Sequence, residues 1–176
     1  MIIFQLREID FEITNNIDLT NTGIYDLSRN DKAAEGNVTE YAFQGTFAGS
    51  NENIAITLDS HDTNQSNIGL FPSVKNATFK NLIIKTTTNS DGTAKPWRYA
   101  KHAAGIAPFV YGGITLDAVT SQVHLGARQE TSEYYYGAIA GKIILNKTHG
   151  ATVTTNNITL DATIEHIRVN QYVGGL

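Results

Sequence analysis

Ile68-Gly69-Leu70-Phe71-Pro72, Ala104-Gly105-Ile106-Ala107-Pro108, Gly137-Ala138-Ile139-Ala140-Gly141 and Val173-Gly174-Gly175-Leu176 are four versions of one short phrase. Their recurrence decides the fold class. The large apolar residue of each copy is Leu70, Ile106, Ile139 or Leu176, at separations of 36, 33 and 37 residues. Near-constant spacing with slack between copies is the mark of stacked units joined by loops of variable length. The small residues suit a sharp bend beside a neighbouring layer, where a Cβ would crowd the interior. Pro72 and Pro108 follow the apolar pair, where a strand can bend without the lost amide donor.

Working outward, a second phrase recurs more loosely as Ile56-Thr57-Leu58-Asp59, Ile114-Thr115-Leu116-Asp117 and Ile158-Thr159-Leu160-Asp161, with Phe79-Lys80-Asn81-Leu82 in an equivalent place. Apolar and polar residues alternate in each, the period of a strand with one buried face. Ile and Leu are expected inward, Thr and Asp outward. Each unit reads as strand, turn, strand and a closing polar loop. Turns are expected at Lys75-Asn76, Tyr111-Gly112-Gly113 and Thr148-His149-Gly150, and the most variable loops at Thr86–Lys101 and Gly126–Tyr134. Stacking such units gives parallel strands about 4.8 Å apart, with like residues in ladders.

Composition agrees. The 176 residues are 41% hydrophobic but only 17% charged, below the usual quarter for a globular domain. Asn and Thr together make up roughly a fifth of the chain. Asn and Gly tolerate the positive φ of turns, and Thr is β-branched. Leu, Glu and Lys are too sparse for several amphipathic helices. The expected class is all-β, with a single repeat segment over 1–176: a lead-in coil and long loop over 1–50 (Thr20–Glu40 being the loop), then stacked repeats over 51–176.

The net charge of −4 and the scattered basic residues argue against a nucleic-acid face. No stretch approaches the roughly 20 apolar residues of a membrane span. Met1 to Phe4 give way at once to Arg7, Glu8 and Asp10, which is no signal peptide. The absence of cysteine excludes disulfides, thiolate metal sites and a cysteine nucleophile.

Specific features now resemble a known family. Ala138-Ile139-Ala140-Gly141 resembles the GLUG repeat of bacterial surface proteins. Asn16-Ile17-Asp18-Leu19 and Phe43-Gln44-Gly45-Thr46-Phe47-Ala48-Gly49 are similar to the lead-in that precedes such repeats, and Gly69-Leu70-Phe71 with Asn76-Ala77-Thr78-Phe79-Lys80-Asn81-Leu82 to a full family coil. The likeness covers roughly 14–176. It is shared by the solenoid parts of adhesins and by the repeat regions of zinc metallopeptidases that cleave immunoglobulin A. It implies a right-handed parallel β-helix-like solenoid of about 4–5 coils in an extracellular, cell-surface setting, and no activity of its own. Pro72 and Pro108 depart from the family's final glycine. Gly175-Leu176 falls within a copy of the phrase, which reads as a segment of a longer polypeptide.

Chemistry-bearing patterns are few. His61, His102, His124, His149 and His166 form neither His-Glu-x-x-His nor His-x-His, so no metal site or cofactor is expected. His61-Asp62 reads as a solvated loop pair. Asp59, Asp117 and Asp161, with Lys80 and Lys85 near, allow an acidic ladder of the kind that holds Ca²⁺ against an acidic sugar, but outward polar residues also simply solubilise a solenoid. Threonine runs at 86–88 and 152–155 fall short of repeated Thr-x-Thr, which excludes an ice-binding ladder. Sequons at Asn37, Asn76, Asn146 and Asn157 follow from the composition. The aromatic residues Trp97 and Tyr99 in one loop, and Tyr134 and Tyr135 before the coil at Gly137, are the candidate ligand-binding residues; the alternative has Tyr134 and Tyr136 alternating inward and Trp97 lying over the core. The expected function is a non-catalytic structural or adhesive module contacting a host protein or glycan. The alternative is an accessory region of a surface metallopeptidase or of a carbohydrate-active β-helix enzyme.

Overall fold

The structure, a computed structural model, describes residues 9–20, 42–51, 54–59, 67–88, 101–126, 134–145, 152–165 and 171–176. The expected loops fall mostly outside these residues, as does the turn at Thr148-His149-Gly150. Strands hold 74% of the described residues and none is helical, so the all-β expectation holds.

In chain order the strands are β1 (Phe11–Ile13), β2 (Ile17–Asp18), β3 (Phe43–Gly49), β4 (Ile54–Leu58), β5 (Asn67–Ile68), β6 (Ser73–Thr86), β7 (His102–Ala104), β8 (Ala107–Gln122), β9 (His124–Gly126), β10 (Tyr134–Gly137), β11 (Ala140–Ile144), β12 (Val153–Leu160), β13 (Thr163–Glu165) and β14 (Gln171–Gly174). Every pairing among them is parallel. The eight-stranded sheet is centred on the long strands β6 and β8. The first half of β6 pairs β3 and its second half β4, while β8 pairs β6 on one side and β11 then β12 on the other. A four-stranded sheet runs β5-β7-β10-β14, and β9 pairs β13. The large sheet curls into a half-barrel.

The curl has a local cause. Asn81, Ala118 and Asn157 have φ of 55°, 52° and 52°, and the flanking pairs Lys80↔Asp117↔Asn156 and Leu82↔Val119↔Ile158 place all three at the same level of neighbouring strands. One left-handed residue per strand, repeated across the sheet, turns it without breaking its pairing. A second kink lies at Asn76 and Gly112, with φ of 50° and 72°. There the Gly113 amide donates to Asn76 Oδ1 at 2.8 Å. A Cβ on Gly112 would collide with the same Asn76 side chain, so glycine is required on both counts. The expected turns at Lys75-Asn76 and Tyr111-Gly112-Gly113 are therefore kinks inside continuous strands.

The interior is built from columns of like residues. Phe11, Phe47, Phe79 and Leu116 stack through four strands, and Phe43 lies on Phe71 with ring centroids 4.4 Å apart. Such ring pairs contribute about 0.5–1.5 kcal/mol each beyond the area they bury. The first sequence phrase marks a real column: the Leu70 amide donates to the Gly105 carbonyl and the Ile106 amide to the Ile139 carbonyl, and all three large residues are buried.

The second phrase does not align as expected. Ile114-Thr115-Leu116 pairs with Ala77-Thr78-Phe79 and Val153-Thr154-Thr155, whereas Ile56-Thr57-Leu58 pairs with Ile84-Lys85-Thr86. Leu160 faces Ser121, not Leu116. The phrase marks two different strand segments, before and after the Asn81-Ala118 bend, which share only their alternation. Leu116 is buried, as expected. Leu160 has inward parity, in the column of Ile56 and Ile84, but is 45% exposed, because no described strand covers β12 on its outer side. Among the described residues, the exposed large apolar ones, Ile144, Leu145, Leu160, Tyr172, Val173 and Leu176, belong to 144–176.

Outside, Thr46, Thr78, Thr115 and Thr154 form one column over β3, β6, β8 and β12. The aspartates do not ladder. Asp117 lies between Lys80 and Asn156, accepting a 2.7 Å hydrogen bond from the Asn156 amide, while Asp161 lies beyond β12, where its amide donates to the Ser121 carbonyl.

Candidate functional site: an outer aromatic and lysine strip

Alternation within β10 sends Tyr134 and Tyr136 inward and Tyr135 outward. The same parity in β7 and β14 brings out His102 and Tyr172, each one residue before Ala103 or Val173, which are in register with the buried Tyr136. The register makes a column of Asn67, His102, Tyr135 and Tyr172. Beside it, β8 turns Val110 inward and Phe109 and Tyr111 outward. Phe109 pairs with Lys142, and Tyr111 lies between Lys75 and Ile144.

The rings are ordered by strand spacing. His102 and Tyr135 stack at 5.2 Å and 23°, and Tyr135 and Tyr172 at 5.2 Å and 17°. Phe109 meets His102 edge-on at 4.9 Å and Tyr135 at 6.1 Å, and lies 6.5 Å from Tyr111. The Lys142 ammonium donates to the Tyr135 hydroxyl at 3.0 Å and sits 4.4 Å from the centre of that ring. Hydroxyl, ammonium and ring quadrupole thus reinforce one another.

His102 is fixed from below. Its Nδ1 accepts the Tyr135 backbone amide at 3.1 Å, which requires a lone pair on Nδ1 and leaves the proton on Nε2. Burial first, then the nearby charges of Lys101 and Lys142, lower its pKa to about 4. Burial raises the Tyr111 hydroxyl above its ordinary value, partly opposed by Lys142. Both residues are neutral near pH 7.

Lys75, Lys101 and Lys142 lie beside the strip in sequence or register, and the described residues of β7, β10, β11, β14 and the first halves of β6 and β8 include no Asp or Glu. The chain as a whole carries −4. In this arrangement the rings of His102, Tyr135 and Tyr172 are stacked face to face along one column.

Of the residues expected from the sequence, Tyr135 lies in the strip. Tyr134 is 3% exposed and belongs to the core, with its ring perpendicular to His102 at 5.8 Å. Its neighbour in sequence therefore lies on the opposite face of the strand. Trp97 and Tyr99 lie outside the described residues. Sequence reasoning missed His102, Phe109, Tyr111, Lys142 and Tyr172. A signal existed for two of them: His102 and Tyr172 stand just ahead of the first repeated phrase, as Tyr135 does, at the same near-constant separations.

Elsewhere, His124 Nε2 meets Glu165 Oε1 at 2.6 Å across β9 and β13. Among the described residues no three His, Asp or Glu side chains group to hold a metal ion, and no helix is long and apolar enough to cross a membrane. Comparison with protein-family models, with curated proteins and with solved structures finds no match.

Proposed function

We propose that this chain is a non-catalytic structural and adhesive module, a right-handed β-solenoid of about 4–5 coils of the GLUG-repeat kind, whose outer strip contacts a glycan or a protein on another surface. All-parallel pairing between strands far apart in sequence supports the solenoid reading, since antiparallel hairpins play no part in it. The observation that carries the contact reading is the strip itself: five aromatic rings and Lys142 gathered on one outer face, whereas the outer columns Thr46-Thr78-Thr115-Thr154 and Lys80-Asp117-Asn156 carry no ring. Stiff columns and a packed interior hold the rings without a further ordering cost on binding. An extracellular setting, and attachment to the rest of a longer surface polypeptide, belong to the same proposal.

An array of glycans and host surface proteins, probed with the native chain and with a Tyr135→Ala/Tyr172→Ala variant, tests it. Binding by the native chain that the variant loses is the expected result. Equal binding by both would remove the strip from the contact, and no binding by either would leave the module a spacer.

A further inference from the structure

We infer that the chain pairs with a second copy of itself, edge to edge through β12, as a two-fold dimer. This contact is separate from the outer strip and rests on the pattern of one strand.

The two ends of the large sheet differ. At the first end β1 and β2 are three and two residues long and include Glu12 and Asp18. Short, charged strands are a common way to blunt a sheet edge. At the last end β12 is eight residues long, Val153-Thr154-Thr155-Asn156-Asn157-Ile158-Thr159-Leu160, with neither charge nor proline. Among the described residues its partner is β8 alone, and all of it but Val153 and Ile158 is exposed. Such an edge is a template for another strand.

The occupant follows from the order of the residues. Read outward from a point between Asn156 and Asn157, β12 is close to a palindrome: asparagine, a β-branched residue, threonine and an apolar residue in both directions. Antiparallel pairing about a two-fold axis at that point sets Asn156 opposite Asn157 of the second copy. Thr155 then meets its Ile158, Thr154 its Thr159 and Val153 its Leu160.

A regular strand could not pair in this way. Residues directly opposite share one face of a sheet, and two residues an odd number of places apart in one strand lie on different faces. The left-handed backbone of Asn157, with φ of 52°, removes the conflict. Before the bend Val153 and Thr155 align with the buried Ile114 and Leu116, and after it Ile158 and Leu160 align with the buried Val119 and Ser121. Thr154, Asn156 and Thr159 lie in the outer columns with Thr115, Asp117 and Thr120. The two-fold axis therefore sets inward residues on inward, outward on outward, and the bend of one copy on the bend of the other. It gives the exposed Leu160 an apolar neighbour, and with no charge in β12 it brings no like charges together.

Two other occupants fit less well. A further parallel layer would extend the interior columns, but the column of Phe11, Phe47, Phe79 and Leu116 reaches Thr155 in β12. Head-to-tail pairing with β1 and β2 would meet Glu12 and Asp18, and would add copies without closing.

Sedimentation of the 176-residue chain over a range of concentrations tests the inference. The expected result is a reversible monomer and dimer, with no larger species. Thr154→Lys/Thr159→Lys sets lysine opposite lysine across the axis and should weaken the dimer by about tenfold or more. Thr154→Lys/Thr159→Glu sets lysine opposite glutamate and should keep it. Thr78→Lys, in the same outer column but on β6, should dimerise as the native chain does. Thr154→Cys/Thr159→Cys should give a disulfide-linked dimer under mild oxidation, and Thr154→Cys alone should not, since the two copies of that residue lie far apart across the axis. Each variant is compared at an unchanged circular dichroism spectrum. A monomer at every concentration, an open-ended series of oligomers, equal weakening by both charge variants, or a dimer that the paired cysteines do not link would each overturn the inference.

Discussion

Asn81, Ala118 and Asn157 hold the same left-handed backbone at the same level of three strands, yet only the asparagines are suited to it. A left-handed conformation costs an L-residue roughly 1–2 kcal/mol, and asparagine less than most because its side chain bonds locally. Asn81 gains further, since its Nδ2 donates to the Gly49 carbonyl in the neighbouring strand β3 at 3.2 Å. Ala118→Asn is therefore expected to stabilise the chain by about 0.5–1 kcal/mol, and Asn81→Val to destabilise it by about 1–2 kcal/mol. The midpoint of urea unfolding reads both. His102 makes a second prediction at this scale. Its folded pKa is about 4 against an ordinary 6.5. Above pH 6.5 the imidazole is neutral in both states and contributes no pH dependence. As pH falls toward 4 the unfolded chain takes up the proton first, so stability is lost through this window and the loss is complete below it. His102→Asn, which copies Asn67 in the same column, should lose less melting temperature between pH 6.5 and pH 4 than the native chain does. An unchanged slope would mean that His102 is not held neutral.

At the scale of elements, alternation was legible and register was not. Period-two patterning marks Ile114-Thr115-Leu116 and Ile56-Thr57-Leu58 as one-sided strands, and both are. Identical patterning cannot say which segment lies beside which, because a strand before the bend and one after it obey the same rule. The kinks at Asn76 and Gly112 were visible as turn residues, but their absorption into continuous strands depends on neighbours that repeat the kink at the same level. The consequence is measurable. Leu116→Asp places an unpaired carboxylate in the core and should abolish cooperative folding, or cost more than about 4 kcal/mol. Leu160→Asp, on the uncovered outer side of the last strands, should cost less than about 1 kcal/mol. Similar losses at both positions would show that β12 is as enclosed as β8.

For the whole molecule, the all-β class and the stacking of Leu70, Ile106 and Ile139 could be read from spacing alone, because a repeat preserves its most constrained residues. The outer strip could be read only in part. Tyr135 stands out in a run of three tyrosines, but Phe109, Tyr111 and Lys142 join it through pairings between strands 33–36 residues apart, and no local pattern states that distance to the residue. Everything at this scale, the strip included, depends on the register. The absence of cysteine makes the register directly testable through double-cysteine variants. The outward pair Thr78 and Thr115 are direct partners on β6 and β8, within the separation a disulfide spans. Thr78→Cys/Thr115→Cys should form an intramolecular disulfide readily under mild oxidation and keep the native circular dichroism spectrum. Thr57→Cys/Thr115→Cys, the pair that alignment of the repeated Ile-Thr-Leu-Asp phrases would bring together, should remain reduced. Crosslinking of the second pair and not the first would contradict the fold and the strip described on it.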